Sequence, residues 1–204
     1  MAQPKLNLLL DQPPRSVFIN GKEWAINSNF YIGIKFEMLI QDKDVKGYEL
    51  CARALSLYYP APPDDLGEAL SKALWFYSCG RETLRAGSQG DSVQAYSFDD
   101  DDNLIYAAFL DQYGVDLSDI PYLHWWKFQA MFENLRPDHK FCQVMHYRTA
   151  KIDRKWPKAQ RDFYADMKKR YAIQGAEKKK ITLAERDKQW KDYIKHRIGG
   201  GTNV

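Results

Sequence analysis

The sequence predicts a mainly α-helical protein: a single compact helical domain with an N-terminal β-hairpin and a basic C-terminal helix. Apolar residues recur at helical spacing along most of the chain, and Pro and Gly residues separate the periodic segments. One strong hairpin signal precedes the first of these segments. With 204 residues, 45% of them hydrophobic, the chain is long enough for one cored domain plus an appended element. We therefore predict a domain over residues 1–173 and an extension over residues 174–204.

The hairpin is predicted over residues 16–26. Asn20-Gly21 is typical of a two-residue type I′ turn, and alternating apolar residues flank it. With these two residues as the loop, one face of the hairpin carries Val17, Ile19, Trp24 and Ile26. Phe18 and Ala25 point to the other side. Since an isolated hairpin is only marginally stable in water, we expect its apolar face to pack on helices or on a partner.

About six helices follow, with one further segment over residues 138–149. Proline closes the second helix, Asp64 or Asp65 begins the third, and Gly114 ends the fourth. The predicted helices cover residues 30–40 and 48–58, a segment from Asp64 or Asp65 to Gly80, residues 99–113, a segment from near Ser118 to before Pro137, and residues 157–171.

The stretch from Tyr122 to Leu135 is expected to be the central core helix. It packs five aromatic residues into fourteen positions. At about 100° per residue, one apolar face contains Trp125, Phe128, Met131, Phe132 and Leu135, and another contains Tyr122, Leu123, Trp126 and Ala130. A helix that is apolar on nearly all sides is normally buried. His124 and Lys127 are expected at the edges of this packing, without a chemical role.

The extension carries a second helix signal. Thr182-Leu-Ala-Glu185 is typical of a capping box that starts a helix over residues 183–197, and a run of three glycines ends it. Its few apolar anchors lie among many charged residues, which is typical of an element that docks on a partner. The predicted partner contacts are Trp190, Tyr193, Ile194 and Ile198, followed by the hairpin residues Phe18 and Ala25.

The charge is distributed unevenly. Residues 1–150 carry 14 Lys and Arg against 20 Asp and Glu, whereas residues 151–204 carry 16 against 7. Such a basic arm suggests an acidic partner, with neutralisation by the body of the protein as the plainer alternative. Lys168–Arg170 and Lys178–Lys180, interleaved with Tyr164 and Tyr171, leave nucleic-acid binding as a less favoured alternative because Asp and Glu interrupt the arm. The preferred interpretation is that this arm binds in a groove of a protein partner.

Two groups of residues could suggest a metal site, but neither pattern favours one. Asp99–Asp102 offers several oxygens, but a calcium loop needs Glu where this chain has Leu110, and acids also favour a helix N-terminus. His139, Cys142 and His146 fall on one helical face, but no fourth zinc ligand is evident nearby.

No catalytic function is expected. Gly87-Ser-Gln-Gly90 lacks the Lys and Ser or Thr of a phosphate-binding loop, and no nucleophile elbow is present. We therefore predict a protein that is not an enzyme and has no catalytic residue, no bound metal and no cofactor. The three cysteines have no short spacing and are expected to be reduced thiols of a cytosolic protein. Neither a secretory signal nor a membrane-spanning run is recognised, so no membrane association is expected.

Four stretches of the chain resemble a known family. They run over residues 7–42, 55–80, 96–135 and 163–173, and include LWFY-x-CG, IYAAFL-x-QYG and YLHWWKF. The chain resembles proteins encoded in the tail-gene cluster of long-tailed, siphovirus-like bacteriophages of Gram-positive bacteria, near the tape-measure gene. The combination of these motifs with the hairpin is far more specific than any one of them.

This resemblance implies a tail assembly chaperone working in the host cytoplasm. Such a protein binds the tape-measure protein, keeps its apolar stripes soluble and helps recruit tail-tube subunits. A minor structural component retained in the tail is the alternative that the same resemblance allows. Self-association is left open. The resemblance does not extend to residues 178–204, for which the family offers no matching pattern.

Overall fold

The computed structural model describes residues 6–42, 44–61, 63–81 and 93–173. These residues are mainly helical with one antiparallel hairpin, which confirms the predicted fold class. The strands are β1 (Ser16–Ile19) and β2 (Lys22–Ala25), and the helices are α1 (Phe30–Gln41), α2 (Gly47–Tyr58), α3 (Leu66–Tyr77), α4 (Asp102–Tyr113), α5 (Trp125–Glu133), α6 (Lys140–Thr149) and α7 (Lys158–Arg170). None of the helices in this part of the chain has the length and apolarity needed to cross a bilayer. The predicted C-terminal helix lies outside the described residues.

The chain divides into two compact units. The described part of the first unit consists of the residues up to position 81 together with residues 122–129. The described part of the second unit consists of residues 93–121 and 130–173. The boundary expected between residues 173 and 174 stays a prediction.

In the first unit, the hairpin adopts the predicted register. Val17 pairs with Trp24 and Ile19 with Lys22. Asn20 and Gly21 have φ angles of 48° and 77°, and a type I′ turn requires positive values at both positions. Val17 and Ile19 are buried, and β1 packs against α3. The apolar face of the hairpin therefore lies on a helix, as expected for a two-stranded sheet that is not stable alone.

The helices α1, α2 and α3 meet through aromatic rings. Phe36 packs edge-on against both Tyr58 and Tyr77, and Tyr58 packs in the same way against Phe76. Asp65 begins α3 by accepting the backbone N–H of Glu68 at 2.9 Å, which confirms one of the two predicted helix starts. Edge-to-face contacts of this kind favour one arrangement of the rings and so define how these helices pack.

Most of the central aromatic stretch is buried as predicted, but Tyr122 is exposed, and the predicted start of the helix is wrong. Trp125, Trp126 and Phe128 are almost completely buried, and α5 begins only at Trp125, not near Ser118. Ahead of it, the N–H of Phe30 donates to the carbonyl of Leu123, and the N–H of Trp125 donates to the carbonyl of Ser28, each at 2.8 Å. These bonds form an antiparallel bridge between Asn29 and His124, so the carbonyl of Leu123 and the N–H of Trp125 are not free for a helix that starts earlier.

His124 lies at the start of α5 and is buried, although the sequence placed it at the edge of the packing. The N–H of Trp126 donates to its Nδ1 at 3.1 Å, as at an N-cap. The proton of the neutral ring is therefore on Nε2, which donates to the carbonyl of Pro14 at 2.9 Å. Burial, and to a smaller extent the charges of Arg15 and Lys127, lower the pKa of His124 below its usual value of 6.5.

In the second unit, one buried ion pair connects several segments. Arg148 of α6 donates to both carboxylate oxygens of Asp101 at 2.5 and 2.8 Å. The same guanidinium donates to the carbonyl of Tyr171 at 2.6 Å and to that of Ala95 at 3.1 Å. A bidentate pair with these further hydrogen bonds satisfies a charge that would otherwise be costly to bury. Arg148 thus joins the start of α4 to the end of α7.

We expect Gly33→Ala to destabilise the protein by about 3 kcal/mol, because inserting atoms into a packed core forces side chains and backbone to move. A Cβ atom at Gly33 would overlap the six-membered ring of Trp125. Urea denaturation followed by circular dichroism measures this loss. In a Trp125→Leu background the same substitution should cost clearly less, and equal costs in the two backgrounds would show that the indole is not the obstacle.

We expect the free energy of unfolding to fall as the pH is lowered from about 7 to about 5. Below about pH 6.5 an unfolded chain takes up a proton on His124 that the folded chain excludes, since the pKa is lowered in the folded state. His124→Asn keeps a capping oxygen but cannot titrate, so its stability should depend less on pH in this range. Urea titrations at several pH values test this, and parallel pH profiles for the two proteins would refute it.

Candidate partner-binding surface

The outer face of the hairpin consists of Ser16, Phe18, Glu23 and Ala25. Phe18 is 57% exposed, and Ala25 is also exposed. Ser16 donates a hydrogen bond to the carboxylate of Glu23 at 2.5 Å across the strands. The structure therefore places both predicted hairpin contacts on the solvent side, and their role in binding stays a prediction.

A second exposed apolar element precedes the hairpin, and the sequence analysis did not identify it. This leucine loop, residues 7–11, exposes Leu9 and Leu10 by 92% and 83%. Its backbone forms a hydrogen-bonded turn, because Asn7 accepts from the N–H of Leu9, and Asp11 accepts from the N–H of Asn7. The signal was present in the sequence as three consecutive leucines between a turn-forming Asn and Pro13-Pro14, with neither helical nor strand periodicity.

The hairpin is held on the first unit by polar contacts at its turn. The backbone N–H of Asn20 donates to Glu68 at 2.8 Å, and its side-chain amide donates to Asp65 at 3.3 Å. The backbone N–H of Glu68, followed by the Asn20 amide, lowers the pKa of Asp65. These contacts keep the hairpin in place without using the outer face.

The segment between the loop and the strand is also fixed. The guanidinium of Arg15 lies 4.8 Å from the centre of the Tyr122 ring, and the carbonyl of Pro14 accepts from His124. Both partners belong to the segment that leads into α5. The leucine loop and the hairpin are therefore connected by a backbone that is anchored to the first unit, which limits the conformational entropy that binding would remove.

The four contacts predicted in the extension, Trp190, Tyr193, Ile194 and Ile198, lie outside the described residues. They stay predictions. Among the described residues, these two elements expose Leu9, Leu10 and Phe18, and Ala25 lies on the same outer face of the hairpin as Phe18.

The three side chains of the disfavoured zinc site have separate partners. His139 bonds to Gln112 at 3.0 Å, and His146 bonds to Tyr164 at 3.3 Å. The thiol of Cys142 faces the carbonyl of Leu135. Over residues 6–42, 44–61, 63–81 and 93–173, no three His, Cys, Asp or Glu side chains form a group able to hold a metal.

The cysteines are free thiols, and two of them have a raised pKa. Burial raises the pKa of Cys51 to about 11 and also raises that of Cys142. Thiols with a raised pKa carry little thiolate at neutral pH and are poor nucleophiles.

The acidic run at the start of α4 differs in detail from the prediction. Asp101 occupies the N-cap position, but its side chain makes no capping hydrogen bond. Its carboxylate instead bonds to Arg148 and to the backbone N–H of Ser97. Ser97 accepts from the N–H groups of Asp99 and Asp100 in the preceding turn, so the helix begins at Asp102 and not at Asp99.

In the described part of the basic arm, Tyr164 and Tyr171 are engaged within the second unit. The ring of Tyr171 stacks on that of Tyr147 at 6.1 Å, and Tyr164 packs against Tyr147 and Trp156. Lys168 donates to the carbonyl of Arg148. These contacts secure α7 against α6. Rings used in this way are poorly placed to stack nucleic-acid bases.

A protein-family model described as Bacteriophage Gp15 protein matches residues 9–173 of the chain. The matched region includes the hairpin and all seven helices of the described residues, and it ends before the extension. No curated protein and no solved structure shows a significant match. Because the family model covers most of the sequence, this chain belongs to the Bacteriophage Gp15 protein family.

Proposed function

We propose that this phage protein is a tail assembly chaperone, which binds the tape-measure protein in the host cytoplasm and helps recruit tail-tube subunits. The proposed function is not enzymatic, and it requires neither a cofactor nor nucleic acid. The observation that carries it is the solvent exposure of the apolar side chains Leu9, Leu10 and Phe18 on the first unit. A tape-measure helix with an apolar stripe is a suitable ligand for such a surface.

Three exposed apolar side chains are few enough for a weak, reversible contact with the ligand. Fully burying a Leu or Phe side chain contributes about 1.5–3 kcal/mol, so three such side chains contribute on the order of 6 kcal/mol. Loss of translational and rotational freedom opposes this gain, which leaves an affinity weak enough for tube subunits to displace the chaperone. A long ligand offers many such sites, so several copies can cover it although each binds weakly.

The extension can add to the same contact. Trp190, Ile194 and Ile198 recur at helical spacing, which is typical of a helix that lays an apolar face in a groove. The hairpin is held on α3 by the contacts of Asn20, whereas the contribution of the extension rests on its sequence pattern alone.

We expect the double variant Leu9→Ser/Leu10→Ser and the variant Phe18→Ser to weaken co-purification with the co-expressed tape-measure protein, each by about tenfold. Affinity capture with quantitative blotting measures this. Leu66→Ser is the matched control, since Leu66 is 50% exposed on α3 but belongs to neither element, and its binding should be unchanged. Truncation after Gln174 tests the extension, and unchanged binding would exclude it as a contact. Full binding by both apolar variants would refute the proposed surface.

Mass spectrometry of purified virions separates the chaperone from a structural component retained in the tail. We expect the protein to be abundant in infected cells but absent from the finished particle, because tube subunits displace it. A protein of known low copy number in the tail serves as the detection control. Stoichiometric presence of this chain in virions would favour the structural alternative.

A further inference from the structure

The two segments of the second unit carry opposite charges. Residues 93–121 contain seven Asp and neither Lys, Arg nor Glu, which gives a net charge of −7. Residues 130–173 contain eleven Lys and Arg against five Asp and Glu, which gives a net charge of +6. The described part of this unit is therefore nearly neutral as a whole, although its charges are separated along the chain.

Much of the negative charge lies in a turn just before and at the start of α4, residues 99–102, which we call the acidic turn. Asp99, Asp100 and Asp102 are exposed, and none of them forms an ion pair with another described residue. The backbone N–H groups of Asp99 and Asp100 donate to the hydroxyl of Ser97 at 3.2 Å. The turn thus presents three unpaired carboxylates on a hydrogen-bonded backbone.

Much of the positive charge lies between α6 and the first residue of α7, at residues 150–158, which we call the basic connector. Asp153, its single acid, accepts the backbone N–H of Lys155 at 2.9 Å. The ring of Trp156 packs against that of Tyr164 at 5.1 Å, which holds the connector on α7. Within the part of the chain that the structure describes, four exposed cations of the connector have no ion-pair partner: Lys151, Arg154, Lys155 and Lys158.

The acidic turn and the basic connector adjoin the same residue, Arg148. Its guanidinium donates to the carboxylate of Asp101 in the turn, and the connector begins two residues after it, at Ala150. Both elements therefore belong to one region of the second unit. Their exposed charges do not pair with each other inside the chain, so they stay available to a second molecule.

A partner that fits this region has to carry both signs of charge. The phosphates of a nucleic acid would be attracted by the basic connector but repelled by the acidic turn, and a protein surface of a single sign meets the same conflict. A second copy of this chain presents the same two elements. A two-fold axis between two copies can place each acidic turn opposite the basic connector of the other copy, as in an isologous contact.

We propose that two copies of this chain associate through this region, with the acidic turn of each copy facing the basic connector of the other. The charges involved are exposed, so the contact is weak and sensitive to salt. It therefore forms where the local concentration of the protein is high. The dimer does not depend on the proposed chaperone function.

Charge reversal in the full-length chain tests this dimer. The turn variant is Asp99→Lys/Asp100→Lys, and the connector variant is Lys151→Glu/Lys155→Glu. Sedimentation velocity at about 50 mM salt, where screening is weak, measures the dimer fraction of each protein and of an equimolar mixture of the two variants. Circular dichroism checks that every protein is folded.

Two matched controls make the same changes of charge in the first unit. Asp42→Lys/Asp44→Lys corresponds to the turn variant, and Lys35→Glu/Lys46→Glu corresponds to the connector variant. All four of these residues are exposed. The controls change the net charge of the chain as the two variants do but leave the proposed contact intact, so both should still form the dimer.

The unmodified chain is expected to form dimers, and no larger species, as its concentration rises to about 500 µM. Raising the salt concentration from about 50 to about 500 mM should weaken the dimer at least about fivefold. Each variant alone should dimerise at least about tenfold more weakly, because like charges then face each other. The mixture should restore the dimer, since one of its contacts has the natural signs and the other has both signs reversed.

Four results would overturn the proposal. They are the absence of a dimer of the unmodified chain at the highest concentration, assemblies that grow beyond two chains, a mixture that dimerises no better than its separate variants, and equal weakening by the variants and their first-unit controls.

Discussion

The short antiparallel bridge between residues 28–30 and 123–125 is the constraint on which the first unit depends. It places the start of α5 beside the start of α1, so that Trp125 lies directly on Gly33, where no side chain fits. From this position, the indole N–H groups of Trp125 and Trp126 donate to the carbonyls of Tyr77 and Phe76 at the end of α3, each at 2.8 Å. A buried indole N–H needs such a partner. One local backbone contact therefore sets the relative positions of α1, α3 and the beginning of α5.

Arg148 has the corresponding role in the second unit, although its chemistry is different. Here a single buried cation binds the carboxylate of Asp101 and the carbonyls of Tyr171 and Ala95. Burying a guanidinium is favourable only when nearly all of its donors are used, so these segments have to meet at one point. The rings of Tyr96, Phe132 and Phe141 pack together in the same unit and supply the apolar part of the core.

The polar contacts of the first unit have a consequence for binding. The leucine loop and the hairpin lie on the surface, but their backbones are held by Asn7, by the contacts of Asn20 with α3, and by the Pro14–His124 hydrogen bond. Exposed apolar side chains on a fixed backbone can bind a ligand without an ordering step. This combination suits the proposed binding and release of a long apolar ligand.

The sequence alone determined the features that arise from local physics. Periodicity, the Asn20-Gly21 turn and the caps at Asp65 and Gly114 all depend on residues close together in the chain, and the structure agrees with them. Outward orientation of Phe18 follows from strand alternation in the same way. Only the tertiary structure decided that residues 123–124 are extended and that His124 is buried, because their hydrogen-bond partners lie about a hundred positions away. It also decided that Asp101 binds Arg148 instead of capping α4, since a buried guanidinium competes more strongly for a carboxylate than backbone N–H groups at a helix end.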